Sequence, residues 1–212
     1  MDEERRQAEV NLFKQLVTDA KQKAADVLLR LRSDLLERIS ESPTLVKASS
    51  EDYRDFLEEV LRATGESNRD PKLVYPVLEA NLEKLDHNFI DILQTWASAT
   101  LSELEPETAE IIAKVIVNFS ILISDFPLGN KANNIEISIA GYERMLTVFT
   151  RESNPQNWAS TQHNLGIAYS DRINGDKADN LELAIEAYQL ALSVRTKPDF
   201  PEDWASTQHN LG

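Results

Sequence analysis

The sequence predicts an all-α fold whose C-terminal half consists of stacked two-helix repeats. The segment WASTQHNLG occurs at Trp158–Gly166 and again at Trp204–Gly212, 46 residues later, and internal periods of 20–50 residues indicate stacked repeat units. Apolar residues recur along the chain at steps of three and four, which is the spacing of one helix face. No segment shows the regular alternation of a half-buried strand.

The same offset of 46 residues extends back to Asn118, which matches Asn164. This earlier copy is degenerate, because Phe119 and Ser120 stand where the later copy has Leu165 and Gly166. We therefore expect the chain to stop within the first helix of a third repeat. The predicted division is a helical N-terminal region over 1–105, a degenerate repeat over 106–153, a complete repeat over 154–199 and a truncated repeat over 200–212.

Two helices are predicted in the complete repeat. Pro155 suits the first turn of a helix, so the first helix is expected to begin there and to run to about Asp171. Asp179 and Glu182 have the spacing of a capping box, which predicts the start of the second helix. Lys197-Pro198 is expected to end it. The apolar residues of this second helix share one face, which comprises Leu181, Ala184, Ile185, Tyr188, Ala191 and Leu192.

Residues 4–40 form a long helical pattern in which apolar side chains recur at alternating four- and three-residue steps. This heptad-like stripe is either the buried face of a helix that packs on the rest of the chain or the seam of a coiled-coil dimer. Two of its members are alanines and the flanking charges show no clear pairing, which favours packing within the chain. The stripe comprises Phe13, Val17, Ala20, Ala24, Val27, Leu31, Leu35 and Ile39.

Shorter helices are predicted between this stripe and the repeats. One spans about 50–64. Asp70-Pro71 opens another, with an aspartate as the cap and a proline at the first position, and this helix is expected to continue through Leu85. His87-Asn88 predicts a break or kink. Pro106 opens the helix that becomes the first helix of the degenerate repeat.

Composition excludes several functional classes. The chain has no cysteine, so disulfides, a thiolate nucleophile and Cys-ligated metal centres are excluded. The net charge is −14, and residues 51–110 carry fifteen acidic and five basic side chains, which disfavours binding to nucleic acid or to an anionic membrane. This acidic stretch could attract a basic partner, but a solvated, solubilising surface is the favoured interpretation. The charged N-terminus predicts no secretory signal, and a cytoplasmic location is expected.

No arrangement of residues points to catalysis. The sequence lacks the phosphate-loop, dinucleotide-binding and nucleophile-elbow motifs, and acidic pairs such as Glu58-Glu59 are typical of helix surfaces. His163 and His209 are repeat-equivalent and too far apart to share a metal without other ligands, so both are predicted to be polar surface residues, as is His87. We predict no catalytic residue, no metal site, no cofactor and no enzymatic activity.

The complete repeat resembles the tetratricopeptide pattern, in which Leu-Gly-x2-Tyr precedes Ala-x3-Tyr-x2-Ala. Gly166 and Ala184 are expected to let the paired helices approach closely, and the two tyrosines to fill the space between neighbouring repeats. The period of 46 residues exceeds the usual ~34, which we attribute to longer helix ends and loops. The usual tryptophan position also falls at Gln162. The matching residues are Leu165, Gly166, Tyr169, Ala184, Tyr188 and Ala191.

A more specific resemblance is to long-period tetratricopeptide arrays of cyanobacterial type. It is carried by NLGIAYSDRINGDKADNLELAIEAYQLALSV, followed by PEDW, and covers about 71–212. The resemblance implies a right-handed helical solenoid, preceded here by the helical N-terminal region, with a concave groove lined by the first helix of each repeat. In that family such arrays often precede a caspase-like CHAT peptidase or an NTPase module, and the Cys–His pair of that peptidase cannot lie in a chain without cysteine.

The resemblance also implies a set of groove residues. An asparagine just before the Leu-Gly pair points into the groove, and here that position is Asn118, Asn164 and Asn210. An amide has a donor and an acceptor, so this ladder could pair with the backbone of an extended peptide; the alternative is that these asparagines fix the repeat spacing. Further groove positions are Ser160, His163, Ile167, Ser170 and Asp171. Repeat packing is assigned to Trp158, Leu165, Gly166, Tyr169, Ala184, Tyr188, Ala191 and Trp204.

The predicted function is a non-catalytic scaffold that binds a protein or peptide on the concave face of its repeats. One alternative is an N-terminal sensing or regulatory arm of a larger CHAT-type protease or NTPase signalling protein. Another is an oligomerisation module that forms a homo-oligomer through residues 4–40. No nucleic-acid or membrane partner is expected. The fold does not name the partner, because such arrays share their architecture and differ in groove chemistry.

Overall fold

The computed structural model describes residues 49–212, so the predicted helix over 4–40 and its stripe lie outside the described range. Within that range all regular structure is helical, which confirms the all-α prediction for this part of the chain. None of the described helices combines the length and the apolar content needed to cross a membrane. The elements are α1 (Ser49–Glu66), α2 (Pro71–Glu79), a 3-10 helix (Leu82–Lys84), α3 (His87–Glu103), α4 (Pro106–Asp125), α5 (Lys131–Met145), α6 (Pro155–Asp171), α7 (Lys177–Leu192) and α8 (Pro201–Leu211).

The helices before the repeats begin at side-chain caps. The Asp70 carboxylate accepts a hydrogen bond from the backbone N–H of Lys72 at the start of α2, as the sequence predicts. The break predicted near residue 87 is the start of α3, where Asp86 is the cap. The predicted continuation of α2 through Leu85 is wrong, because α2 ends at Glu79. There the Asn81 side chain donates to a carbonyl of the last turn, which satisfies an acceptor that a continuing helix would use.

The repeats appear as two helix pairs and a single helix. Helices α4 and α5 form the first pair, and α6 and α7 form the second. Helix α8 corresponds to the first helix of a third pair. Lys131 and Lys177 begin the second helix of each pair, and Pro155 and Pro201 begin α6 and α8, each 46 residues apart. Each helix from α4 to α8 packs against the next one in the chain, and α4 also contacts α6.

The ends of α7 differ from those that the sequence predicts. The prediction that Asp179 and Glu182 form a capping box is wrong, because the cap is Asp176. The Asp176 carboxylate accepts hydrogen bonds from two backbone N–H groups of the first turn. Gly175 adopts a left-handed φ of 82°, which turns the chain early. The helix also stops at Leu192, before the proline, and the hydroxyl of Ser193 donates to a carbonyl of the last turn.

The turn inside each helix pair is held by a buried asparagine. Asn134 and Asn180 each donate from the side-chain amide to a carbonyl of the turn, over 2.9 and 2.8 Å. Lys131 and Lys177 reach back to a carbonyl at the end of the preceding helix. These contacts explain why the identities between the copies continue through a turn that has no apolar face.

The buried side chains form two clusters. The first extends from Tyr53 in α1 to Phe149 beyond α5 and therefore includes residues on both sides of the division predicted after residue 105. Phe89 of α3 and Phe119 of α4 join these sides, with ring centroids 6.0 Å apart. The second cluster lies between α5, α6 and α7. The helices before the repeats are thus packed directly against the first helix pair.

Each helix pair has a point of close approach where one side chain is missing. A Cβ atom on Gly166 would lie 2.6 Å from the Tyr188 ring, so only glycine fits at this position of α6. In the first pair the equivalent position is Ser120, and the missing side chain is that of Gly141 on α5. The Ser120 hydroxyl fills the space and donates to the carbonyl of Ile116.

Gly141→Ala is predicted to lower the free energy of unfolding by about 1–3 kcal/mol, because the new methyl group would overlap the Ser120 hydroxyl. Adding Ser120→Gly gives the first pair the same two residues as the second pair, which has Gly166 and Ala187 at these positions. The double variant should recover most of the loss, less the roughly 1 kcal/mol that a helical glycine costs. Urea unfolding of the wild type, the two single variants and the double variant measures these free energies. Additive losses in the double variant would contradict the packing argument.

Candidate functional site

A cleft of about 390 Å³ lies where α4 and α6 meet, and we call it the basic cleft. The turn between α1 and α2 borders it on one side and the segment after α7 borders it on another. It is lined by Arg69, Lys114, Val117, Asn118, Ile121, Phe149, Asn157, Ser160, Thr161, Asn164 and Arg195.

The basic cleft contains three of the eight predicted groove residues. Asn118 of α4 and Asn164 of α6 are both half-buried and line the same space, together with Ser160. The first helices of two successive repeats therefore bring equivalent amides to one cavity. Neither amide has a protein partner among the hydrogen bonds described for these helices.

The other predicted groove residues lie elsewhere. Asn210 is exposed on α8 and Asp171 is exposed at the end of α6. Ile167 is partly buried against the second cluster. Ser170 is at the end of α6, and its hydroxyl lies 3.5 Å from that of Tyr188.

His163 is buried, and the prediction that it is a surface histidine is wrong. Its side chain is 8% exposed, and its ring lies against Tyr188 with centroids 5.8 Å apart. Nδ1 is 3.0 Å from the Thr207 hydroxyl of α8, which itself donates to the carbonyl of Asp203. Because the hydroxyl has a single hydrogen, Nδ1–H donates to it. His163 therefore joins α6 to α8 and does not face the cleft.

Three cations border the basic cleft, and no carboxylate is among its lining residues. Lys114 and Arg69 are exposed. Arg69 and its neighbour Asn68 both have left-handed backbone angles, with φ of 66° and 52°. Two consecutive non-glycine residues in this region store strain, and such strain is concentrated at functional sites.

Arg195 is the third cation and is held in place from two sides. It is 8% exposed and donates to the Ser160 hydroxyl over 3.0 Å and to the Thr207 hydroxyl over 3.1 Å. Asp203 lies 3.8 Å away. Burial lowers the pKa of Arg195 and the nearby carboxylate opposes this effect; the guanidinium group stays charged at neutral pH. Arg195 thus supplies a positive charge whose position is fixed.

A second, smaller cavity of about 350 Å³ shares three of these lining residues, Asn157, Ser160 and Arg195. It also includes Phe200, directly before α8, and Asp203, in the first turn of α8. The two cavities meet at Arg195 and together extend from α4 past α6 towards α8.

Sequence reasoning did not find the cations. Lys114 carries a usable signal, because it precedes Asn118 by one helical turn and therefore shares its face. Arg69 carries none, because it reaches the cleft from a turn that is distant in the sequence. Arg195 falls within the second helix that the sequence predicts to end at Lys197-Pro198, whereas it lies beyond the end of α7.

The residues assigned to repeat packing are mostly buried. Trp158 is partly buried against the first cluster, and the Tyr169 hydroxyl donates to Glu143 of the preceding pair. Tyr188 packs within its own pair, against Gly166. Trp204 is half-buried beneath Lys197, whose Nζ is 5.2 Å from the ring centroid. Leu165, Ala184 and Ala191 are also buried.

Comparison of the chain with protein-family models, with curated proteins and with solved structures found no match. Among residues 49–212, no group of three or more histidine or acidic side chains is arranged to hold a metal ion.

His163→Gln is predicted to reduce the dependence of stability on acid pH. Burial, with help from the charge of Arg195, lowers the pKa of His163 to about 4 from 6.5. The neutral ring therefore stabilises the fold fully above pH 6.5, and this contribution of about 2–3 kcal/mol is lost as the pH falls from 6.5 towards 4. Urea unfolding at several pH values measures it. The exposed equivalent gives the control, because His209→Gln should follow the wild-type profile; parallel profiles for His163→Gln and wild type would refute the assignment.

Arg69→Gly is predicted to raise the free energy of unfolding by about 0.5–1 kcal/mol, because glycine adopts the left-handed backbone without strain. Arg62→Gly is the matched control. Arg62 is an exposed arginine within α1, where glycine should lower stability by about 1 kcal/mol. Thermal unfolding distinguishes the two, and a loss of stability in both variants would show that residue 69 is not strained.

Proposed function

We propose that this chain is a tetratricopeptide-type repeat protein with the architecture of a right-handed solenoid. Four observations support the proposal. Helix starts recur at the sequence period of 46 residues, successive helices pack on one another, and α4 contacts α6. The Leu-Gly-x2-Tyr and Ala-x3-Tyr motif residues also meet, since Gly166 lies against the Tyr188 ring.

The function that we propose is non-catalytic binding of an extended acidic peptide segment of a partner protein in the basic cleft. The observation that carries it is the lining itself: three cations, two repeat-equivalent amides and no carboxylate. The whole chain has a net charge of −14, so this concentration of positive charge is opposite in sign to its surroundings. A cleft lined by one sign of charge raises the local concentration of ligands with the opposite sign.

The lining residues suggest separate roles in recognition. Asn118 and Asn164 can each donate to and accept from a peptide backbone, which anchors an extended segment without regard to its sequence. Lys114 and Arg69 are exposed and can pair with peptide carboxylates, and such charge-assisted hydrogen bonds are the stronger class. Arg195 adds a charge in a fixed position. The partly buried apolar members of the lining, Val117 and Ile121, offer surface to aliphatic side chains.

The other two roles predicted from the sequence stay predictions. A regulatory arm of a larger enzyme rests on the resemblance alone. Oligomerisation rests on residues 4–40, which lie outside the described part of the chain.

Selection from a random peptide library on the immobilised chain tests the binding proposal. Wild type should enrich peptides rich in aspartate and glutamate, and Lys114→Glu should lower the affinity of the selected peptides about tenfold or more, because it replaces attraction by repulsion. Lys72→Glu is the matched control, since it makes the same charge change at an exposed position outside the cleft. Equal losses in the two variants, or peptides without acidic enrichment, would overturn the proposal.

The asparagines provide a second comparison on the same peptides, measured by fluorescence anisotropy. Asn164→Ala should weaken binding by about 1–2 kcal/mol through loss of backbone pairing. Asn210→Ala should have little effect, because Asn210 is exposed on α8 and does not line the basic cleft. If both variants bind equally well, the ligand does not use the cleft amides.

A further inference from the structure

The turn between α6 and α7 contains Asn174-Gly175, which is the one place in the sequence where a glycine follows an asparagine. Both residues are exposed. Glycine has no side chain to shield its own backbone nitrogen, so this nitrogen can approach the side-chain amide of the residue before it. The turn therefore holds a nucleophile and an electrophile as neighbours in the chain.

The equivalent turn of the first pair shows that the fold does not depend on this asparagine. Leu128 and Gly129 occupy the same two positions, and Gly129 has a φ of 78° compared with 82° at Gly175. In both turns the backbone carbonyl of the first residue accepts a hydrogen bond from a buried asparagine of the second helix. The turn thus has the same backbone contacts with leucine as with asparagine, and the Asn174 side chain is not needed to form it.

The two neighbouring groups are also available to react. Among the hydrogen bonds of residues 49–212, none involves the Asn174 side chain or the Gly175 N–H. A Cβ atom at Gly175 would have only the side-chain amide of Asn180 within 4 Å, apart from its chain neighbours. Water and hydroxide can therefore reach the Gly175 nitrogen in the folded chain.

We propose that Asn174-Gly175 is a site of spontaneous covalent modification, at which Asn174 is converted to isoaspartate and the start of α7 is loosened. The Gly175 nitrogen gives its proton to hydroxide and attacks Cγ of Asn174, and a C–N bond forms. The side-chain nitrogen takes a proton from water and leaves as ammonia, which produces a five-membered succinimide ring. Water then opens the ring. The complete reaction takes up water and releases ammonia, and it involves no oxidation or reduction.

The ring can open at either carbonyl, and the two products affect the turn differently. Opening at Cγ gives aspartate and restores the original backbone. Opening at the backbone carbonyl gives isoaspartate, in which the chain runs through Cβ and Cγ and is longer by a carbon atom. The former carbonyl group becomes a carboxylate outside the backbone. In the unmodified chain this carbonyl of Asn174 accepts from the Asn180 amide over 2.8 Å.

The lengthened backbone is expected to disturb the beginning of α7. Asp176 caps this helix directly after the reacting pair, and Asn180 ties its first turn to the chain before it. A backbone that is longer between the two helices cannot keep both contacts in their present positions. The modification would therefore weaken the second pair at its connecting turn. It is independent of the binding proposed for the basic cleft, whose lining does not include Asn174.

Incubation of the full chain under mildly alkaline conditions, followed by peptide mapping with mass spectrometry, tests the reaction. The peptide that contains Asn174 should gain about 1 Da, and an isoaspartate methyltransferase should label it. Asn210 is the internal control, because it is exposed but is followed by Leu211 within α8. Conversion at Asn174 should be about tenfold faster or more. Equal rates at the two asparagines, or no conversion at Asn174, would rule out the site.

Two variants separate the reaction from its structural effect. Asn174→Leu gives the turn the residue of the first pair, so it should not react and should keep the protection of α7 against hydrogen exchange. Asn174→Asp adds the charge without lengthening the backbone, and α7 should exchange as in the wild type. The purified isoaspartate form should exchange roughly tenfold faster at the start of α7. If it exchanges no faster than Asn174→Asp, the modification does not loosen the helix and the proposal fails.

Discussion

The close approach of the two helices in each pair is the contact from which the other contacts of the repeats follow. In the second pair the ring of Tyr188 occupies the space that a side chain at Gly166 would fill. The same ring lies against His163, and His163 bonds to Thr207 of α8. Thr207 in turn accepts from Arg195, which also holds Ser160. The close approach at Gly166 is therefore connected, through Tyr188, His163 and Thr207, to the position of α8 and to the charge of Arg195 in the basic cleft.

This linkage explains how a strongly acidic chain maintains a group of cations. Isolated surface cations in such a chain would be surrounded by carboxylates and neutralised by them. Here Arg195 is buried and held by hydroxyl groups, and Arg69 reaches the same space from a strained turn. Arg195 is positioned by two side-chain hydroxyl groups, with Asp203 3.8 Å away, and Arg69 is positioned by its turn. Both bring positive charge to a cleft whose lining includes no carboxylate.

The two helix pairs also show that equivalent residues can have different roles. Ser120 and Gly166 occupy the same position, yet the first supplies a hydroxyl and the second only space. His163 and His209 are identical in sequence context, but one is buried beneath α8 and the other is exposed. His163 is buried by contact with Thr207 of α8, so the burial of this repeat residue depends on the helix that follows its pair.

The sequence by itself determined what depends on local contacts: the helical class, the period of 46 residues and the helix starts at Pro71, Pro106 and Pro155, where proline fixes φ and lacks an N–H to satisfy. It also placed Asn118 and Asn164 at equivalent positions. Only the tertiary structure decided that Arg69 joins them and that His163 is buried. Those outcomes depend on contacts between residues far apart in the chain, and a period within one sequence carries no information about which distant turn comes to lie beside it.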